Sequence, residues 1–195
     1  MKDINDLFNI TILKQKLNLD LKDIKIFCDA LKQNEKGRVI SNAGGWQSLD
    51  FLNKIDNVQF LSDVILYKTK KLASECGFKK DLNFKITSIW ANYNEKNNYN
   101  IKHIHPNSIF SGVFYVQCDE MNPAKIEFYH PAHDLMGYDW DSDLYESFTK
   151  NNSSTWSFEP EENVLIIFPS WLNHEVKYNP SEKTRISISF NMVVC

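Results

Sequence analysis

The stretch that decides the fold is 163–194, NVLIIFPSWLNHEVKYNPSEKTRISISFNMVV. It holds three short β-rich runs: NVLIIFP (163–169), HEVKYN (174–179) and TRISISFNMVV (184–194). The first is an apolar run nearly throughout. The third alternates. In an extended chain Arg185, Ser187, Ser189 and Asn191 share one face, and Ile186, Ile188 and Phe190 share the other. Turn residues such as NPSEK separate the runs.

Upstream lie further runs of the same kind: FKITSIWANYN (84–94), IFSGVFYVQC (109–118), KIEFYH (125–130) and STWSFEP (154–160). Several short strands with no helices between them predict a sandwich, jelly roll or small barrel. The segment 131–153, PAHDLMGYDWDSDLYESFTKNNS, breaks the rhythm. A loop of that length inside a domain is usually functional or disordered.

The first part of the chain reads differently. Residues 19–33 place Leu21, Ile24, Phe27, Cys28 and Leu31 at helical spacing, and 58–76 do the same with Phe60, Leu61, Val64, Ile65, Leu72 and Cys76. Asn57 is positioned to cap the second helix and Gly77 to stop it. Between them lies SNAGGWQSLDF, a Gly-containing turn that carries Trp46. With 195 residues the chain reads as a single domain, 1–195, with a helical support region over 1–80 and a β core over 81–195.

Composition narrows the function classes. The net charge is −3, so no basic excess exists to neutralise a run of phosphates, and a nucleic-acid partner is not expected. Only two of the 22 basic residues are arginine, Arg38 and Arg185, which makes each worth inspecting. No apolar run is long enough to span a bilayer, and MKDINDLFNITILKQK lacks the apolar region of a signal peptide. Four scattered cysteines with no CxxC read as reduced thiols, so a cytoplasmic location without membrane association is expected.

All five histidines fall in the β-rich part. His103 and His105 form an HxH pair beside a predicted strand, where residues two apart converge on one point. Imidazole is a common ligand for iron, zinc, copper and nickel. Two rim histidines bonded to backbone would give the same pattern. His174 follows an apolar strand and is a candidate third ligand brought back by the fold. Arg185 comes 11 residues later, enough for a turn and a return strand. Facing a barrel interior it needs an anionic partner, and a guanidinium grips a planar carboxylate with two parallel bonds. At an exposed strand start it would instead pair with an acid such as Glu182. Tyr115, on one face with Ser111 and Val113, either adds a hydroxyl to such a carboxylate site or packs as a core aromatic.

Together NAGGWQS (42–48), NIKHIHPNSIFSGVFYV (100–116) and VLIIFPSWLNHEVKYNPSEKTRISISFN (164–191) resemble the 2-oxoglutarate- and Fe(II)-dependent oxygenases. The likeness is to the prolyl-4-hydroxylase-like branch, and within it to small oxygenases of marine bacteria and their phages. It implies a mainly β fold, a double-stranded β-helix of the jelly-roll or cupin kind flanked by N-terminal α-helices. It implies Fe(II) held by His103, His105 and His174. It also implies 2-oxoglutarate chelating that iron, its far carboxylate meeting Arg185 with Ser187 and Tyr115 beside it. The implied activity hydroxylates a small-molecule or peptidyl substrate with O₂, coupled to oxidative decarboxylation of 2-oxoglutarate. A homo-oligomer is compatible with all of this. Segment 131–153 and the region of Trp46 are the candidates for closing over substrate.

One departure stands out. The wider superfamily has a carboxylate where His105 stands. Either the site is a three-histidine one, or Asp134 or another acid within 131–143 completes it. Two other readings compete: a cofactor-independent three-histidine dioxygenase of the thiol-oxidising kind, and a non-enzymatic jelly-roll module that binds a small molecule.

Overall fold

The run VLIIFP is apolar at successive positions because both of its faces are covered. In the computed structural model, which describes residues 7–139 and 141–195, it forms a strand inside a six-stranded antiparallel sheet. In chain order the strands are β1 (Leu13–Lys16), β2 (Asn42–Ala43), β3 (Trp46–Gln47), β4 (Phe84–Asn94), β5 (Tyr99–His103), β6 (Phe110–Gln117), β7 (Ile126–Tyr129), β8 (Thr155–Phe158), β9 (Val164–Pro169), β10 (His174–Val176) and β11 (Arg185–Val194). The major sheet runs β1-β9-β6-β11-β4-β3, and a minor sheet of five runs β2-β5-β10-β7-β8. This is the expected double-stranded β-helix, two facing sheets with helices packed outside the larger one.

Alternation sorts the side chains of the major sheet into two layers. Leu165 and Ile167 of β9, Phe114 and Val116 of β6, and Ile186, Ile188, Phe190 and Met192 of β11 join one core with the helices. Val164, Ile166 and Phe168, with Val113 and Tyr115, join a second core with Ile126 and Phe128 of the minor sheet. A fully buried Ile or Phe stabilises the fold by about 1.5–3 kcal/mol. The two halves of the inner face differ in chemistry. The β6–β9 half is mostly apolar, whereas β4 and β11 present Asn92, Asn94, Arg185 and Ser187, all buried.

The helical layer is α1 (Leu21–Asn34) and α2 (Gln59–Glu75). Asp20 caps α1 by accepting the Lys22 N–H at 2.9 Å, and Ile24, Cys28 and Leu31 form its buried stripe. Beyond α2, Gly77 takes φ +80°, the left-handed turn that stops a helix. Asn57 does not cap α2. Residues 52–58 already form a 3₁₀ turn, within which the Asn57 amide donates to the Lys54 carbonyl. Nor are residues 1–80 purely helical: β1 adds an edge to the major sheet by pairing with β9, and β3 adds the other by pairing with β4. Its polar sequence, LKQK, carries no apolar alternation to announce β1, which is held by backbone pairing at an edge.

Segment 131–153 contains a short helix, α3 (His133–Asp139), and a 3₁₀ turn at Ser142–Leu144. Residues 1–6 and Trp140, which belong to segments singled out above, lie outside the described residues. No helix among the described residues is long and apolar enough to cross a membrane.

Candidate metal centre

Between the sheets a single cavity is bordered at one end by His103, His105 and His174 and at the other by Arg185, Ser187 and Tyr115. The register explains why. His174 opens β10 and sits opposite His103, the last residue of β5. Arg185 opens β11 opposite Asn94, and Ser187 lies between Asn92 on β4 and Tyr115 on β6. His105 stands beyond the end of β5. Its place is set by its N–H, which donates to the Ser170 carbonyl at 2.9 Å. The convergence of His103 and His105 therefore does not come from strand alternation alone.

The three imidazoles place one nitrogen each within 4.8 Å of one another. His174 Nδ1 faces the Leu172 carbonyl at 2.9 Å and His103 Nδ1 faces the Ile101 carbonyl at 2.7 Å. A carbonyl accepts only, so both rings carry their proton on Nδ1 and turn the Nε2 lone pair inward. His105 makes a side-chain hydrogen bond with Asn191, and its Nε2 lies 3.3 Å from His174 Nε2. With Asn191 accepting from the other nitrogen, two lone pairs face each other across that gap. A cation resolves the conflict: two nitrogens at right angles, each about 2.1 Å from a metal, stand about 3 Å apart. Burial, with repulsion from His103, pushes His105 down to about 4 and His174 down to about 3, so both stay neutral. His105 is also stacked between Trp90 and His174. These residues fit a metal that takes nitrogen ligands.

The other end fits an anion. Arg185 is 3% exposed, and among the described residues no carboxylate pairs with it. Nη2 donates to Asn94 Oδ1 at 2.8 Å and Nη1 to the Ala124 carbonyl at 3.3 Å, while Nε is buried without a partner. Desolvation lowers the pKa of the guanidinium. Glu182 is not its partner, being paired with Lys96. Burial pushes the Tyr115 phenol up to about 12, so it remains a hydroxyl donor beside Arg185.

Behind Arg185 runs a relay of amides. Asn94 Nδ2 donates to Asn100 Oδ1 at 3.3 Å, and Asn100 Nδ2 donates to Ser41 Oγ at 3.2 Å. Sequence reasoning passed over Asn94 and Asn100 and saw Asn191 only as a face-mate of Arg185. Amides neither titrate nor stand out in a chain this rich in asparagine.

Several candidates lie elsewhere. Asp134 does not complete the ligand set: its carboxylate is exposed and paired with His133. Asp141 and Asp143 are exposed as well. His130 is exposed and accepts the Ala132 N–H. Trp46 is turned away from the cavity. It meets Tyr93 edge-on in the helical layer, and its indole donates to the Glu35 carbonyl. The four cysteines are unpaired.

The family model described as "Putative 2OG-Fe(II) oxygenase" matches residues 88–191, from β4 through the polar face of β11. No curated protein matches significantly. Among solved structures, the non-heme α-ketoglutarate-dependent epimerase SnoN from nogalamycin biosynthesis superposes with a TM-score of 0.68 at 11% identity, over 94% of this chain and 76% of that one. A Pseudomonas putida prolyl-4-hydroxylase gives 0.58 at 10% identity over 95% of both chains. HygX from Streptomyces hygroscopicus, solved with nickel and 2-oxoglutarate, gives 0.60 at 7% identity over 94% of this chain and 82% of that one. At such identities the likeness is one of fold. The family match spans more than half of the sequence and takes in all three histidines and Arg185, so the chain belongs to the 2OG-Fe(II) oxygenase family.

Proposed function

We propose that this protein hydroxylates an organic substrate using Fe(II) at His103, His105 and His174 and 2-oxoglutarate anchored on Arg185. The observation that carries the reading is the single cavity joining three converging imidazoles to a buried guanidinium with no acidic partner among the described residues. A five-carbon diacid suits such a cavity, because one carboxylate and the adjacent oxo group can meet a metal while the other meets the arginine. When bound, iron and 2-oxoglutarate together activate O₂, with 2-oxoglutarate oxidised to succinate and CO₂ and one oxygen atom passed to the substrate.

The chain's own groups do the rest. The Ile101 and Leu172 carbonyls and Asn191 lock the tautomer and angle of each histidine. Arg185 supplies the fork that orients the cofactor, with Ser187 and Tyr115 as hydroxyls on its flank. Phe168 and Phe128 pack against the His174 ring and keep water from that side of the site.

Three imidazoles without a carboxylate would also suit a cofactor-independent thiol dioxygenase. Arg185 favours the 2-oxoglutarate reading, since one diacid gives a ligand both to the metal and to the buried guanidinium. Adding Fe(II) and then 2-oxoglutarate without air, and following the visible metal-to-ligand absorption band, tests it. The band should appear only with both present, and admitting O₂ should yield succinate. Iron uptake without the band refutes the 2-oxoglutarate reading, and failure to take up iron refutes both enzymatic readings.

A further inference from the structure

The second arginine of the chain, Arg38, stands next to the same site, in contact with one of the residues that line it. Its guanidinium lies over the Trp90 ring at 5.7 Å, and Trp90 lines the cavity and stacks on His105 at 5.8 Å. Its Nε is buried and unbonded, and among the described residues no acid pairs with it. The nearest acid along the chain that is held in place, Glu35, is already committed to Lys54 and to the Leu49 N–H. The backbone here is built for position. Arg38 N–H donates to the Gln47 carbonyl at 2.8 Å, and its own carbonyl accepts from the Asn42 amide. Gly37 takes φ +74°, and a Cβ there would stand 2.4 Å from the Trp46 indole nitrogen. Three residues on, Ser41 lines the cavity.

Charge balance gives this cation a purpose. On the oxygenase reading, which this inference rests on, the charges of iron and the 2-oxoglutarate dianion cancel. Arg185 is then left as an uncancelled positive charge. A carboxylate ligand would have neutralised it, but His105, whose imidazole binds a metal without contributing charge, stands in that place. Arg38 adds a second positive charge on the Trp90 ring. A low-dielectric site with that surplus favours an anionic substrate over a neutral one. Exposed apolar side chains stand near by in the chain, Val39 and Ile40 next to Arg38 and Ile104 between two of the histidines. We infer that Arg38 is a specificity-determining residue and that the substrate is an amphipathic carboxylic acid, its carboxylate on Arg38 and its apolar body over the metal.

The test uses Ni(II)-loaded protein saturated with 2-oxoglutarate and calorimetric titration with two matched pairs, 3-phenylpropionate against its primary amide and octanoate against octanamide. The acids should bind the wild type at least about tenfold more tightly than their amides. Arg38→Gln should weaken acid binding by about ten- to a hundredfold, the range for a charge-assisted hydrogen bond, and leave the amides unchanged. Arg38→Lys should restore part of the preference. Affinity for 2-oxoglutarate should be the same in all three proteins, which a general structural defect would not permit. Equal binding of acid and amide, no binding of either, or an acid preference that survives Arg38→Gln overturns the inference. If the wild type itself does not bind 2-oxoglutarate, the oxygenase reading falls and takes this one with it.

Discussion

Replacing Arg185 by alanine separates use of 2-oxoglutarate from every other iron chemistry. The side chain is wholly enclosed, has no acidic partner among the described residues, and holds one nitrogen without any partner. An incoming carboxylate therefore meets a guanidinium already stripped of water, and most of the desolvation cost has been met in folding. Truncating one member of such a pair costs about 2–5 kcal/mol. At 1.4 kcal/mol per factor of ten, affinity for 2-oxoglutarate should fall about 30- to several-thousand-fold. Arg185→Lys should recover only part, because a point charge cannot make two parallel bonds. Affinity for the metal should hardly change, since Arg185 borders the opposite end of the cavity. Calorimetric titration of metal-loaded protein measures the first quantity. Thermal unfolding supplies a second readout: 2-oxoglutarate at a hundred times the wild-type Kd should stabilise the wild type by about 2.7 kcal/mol and the alanine variant by no more than about 0.9 kcal/mol. An alanine variant that binds 2-oxoglutarate as well as the wild type would refute the assignment of Arg185 and with it the account of the cavity.

His174→Ala should abolish metal binding and His130→Ala should not, because His130 lies exposed outside the cluster; equal losses, measured by metal titration, would dismiss the ligand set. Asn94→Asp would give Arg185 an internal counter-ion, so affinity for 2-oxoglutarate should drop about tenfold or more, and calorimetry that finds it unchanged contradicts the role of Arg185. In the metal-free protein His105 and His174 have depressed pKa values when folded and ordinary ones near 6.5 when unfolded, so the unfolded chain takes up the protons first. Stability is present above pH 6.5 and is lost as pH falls toward 4, at up to about 1.4 kcal/mol per pH unit for each histidine. Urea midpoints between pH 7 and 5 should show this, with a shallower slope in His174→Phe.

Much of the fold was legible because period-two alternation and a doubly buried strand leave marks that need no tertiary knowledge. TRISISFN divides into a helix-facing and a cavity-facing set as the letters suggest, and FKITSIWANYN spans β4. The histidines were legible as residue types, although the tie between His105 and Ser170 that brings them together was not. The short pieces escaped: β1 has a polar sequence, and β2 and β3 have two residues each, too few for any pattern. Trp46 looked functional because it is a large aromatic in a glycine-containing turn. Its burial against Tyr93 depends on a strand pairing that no local signal announces. Arg38 drew notice only for rarity, since its position over Trp90 is purely tertiary.

The relay from Arg185 through Asn94 and Asn100 to Ser41 has a direction. Every link donates away from the guanidinium, because a guanidinium can only give hydrogens and so obliges Asn94 to present its oxygen. That choice turns the Asn94 nitrogen toward Asn100, and the same constraint repeats down to the Ser41 oxygen. Inverting any one amide would press two donors or two acceptors together, so the chain of orientations is held as a whole. Mutational tolerance should be correspondingly low. Aspartate lacks the donor, leucine lacks both groups, and glutamine is one methylene too long for an occupied space. Drift at these two asparagines is thus restricted by handed hydrogen-bond traffic, and the Ser41 hydroxyl, having accepted, keeps its own hydrogen to offer at the cavity wall.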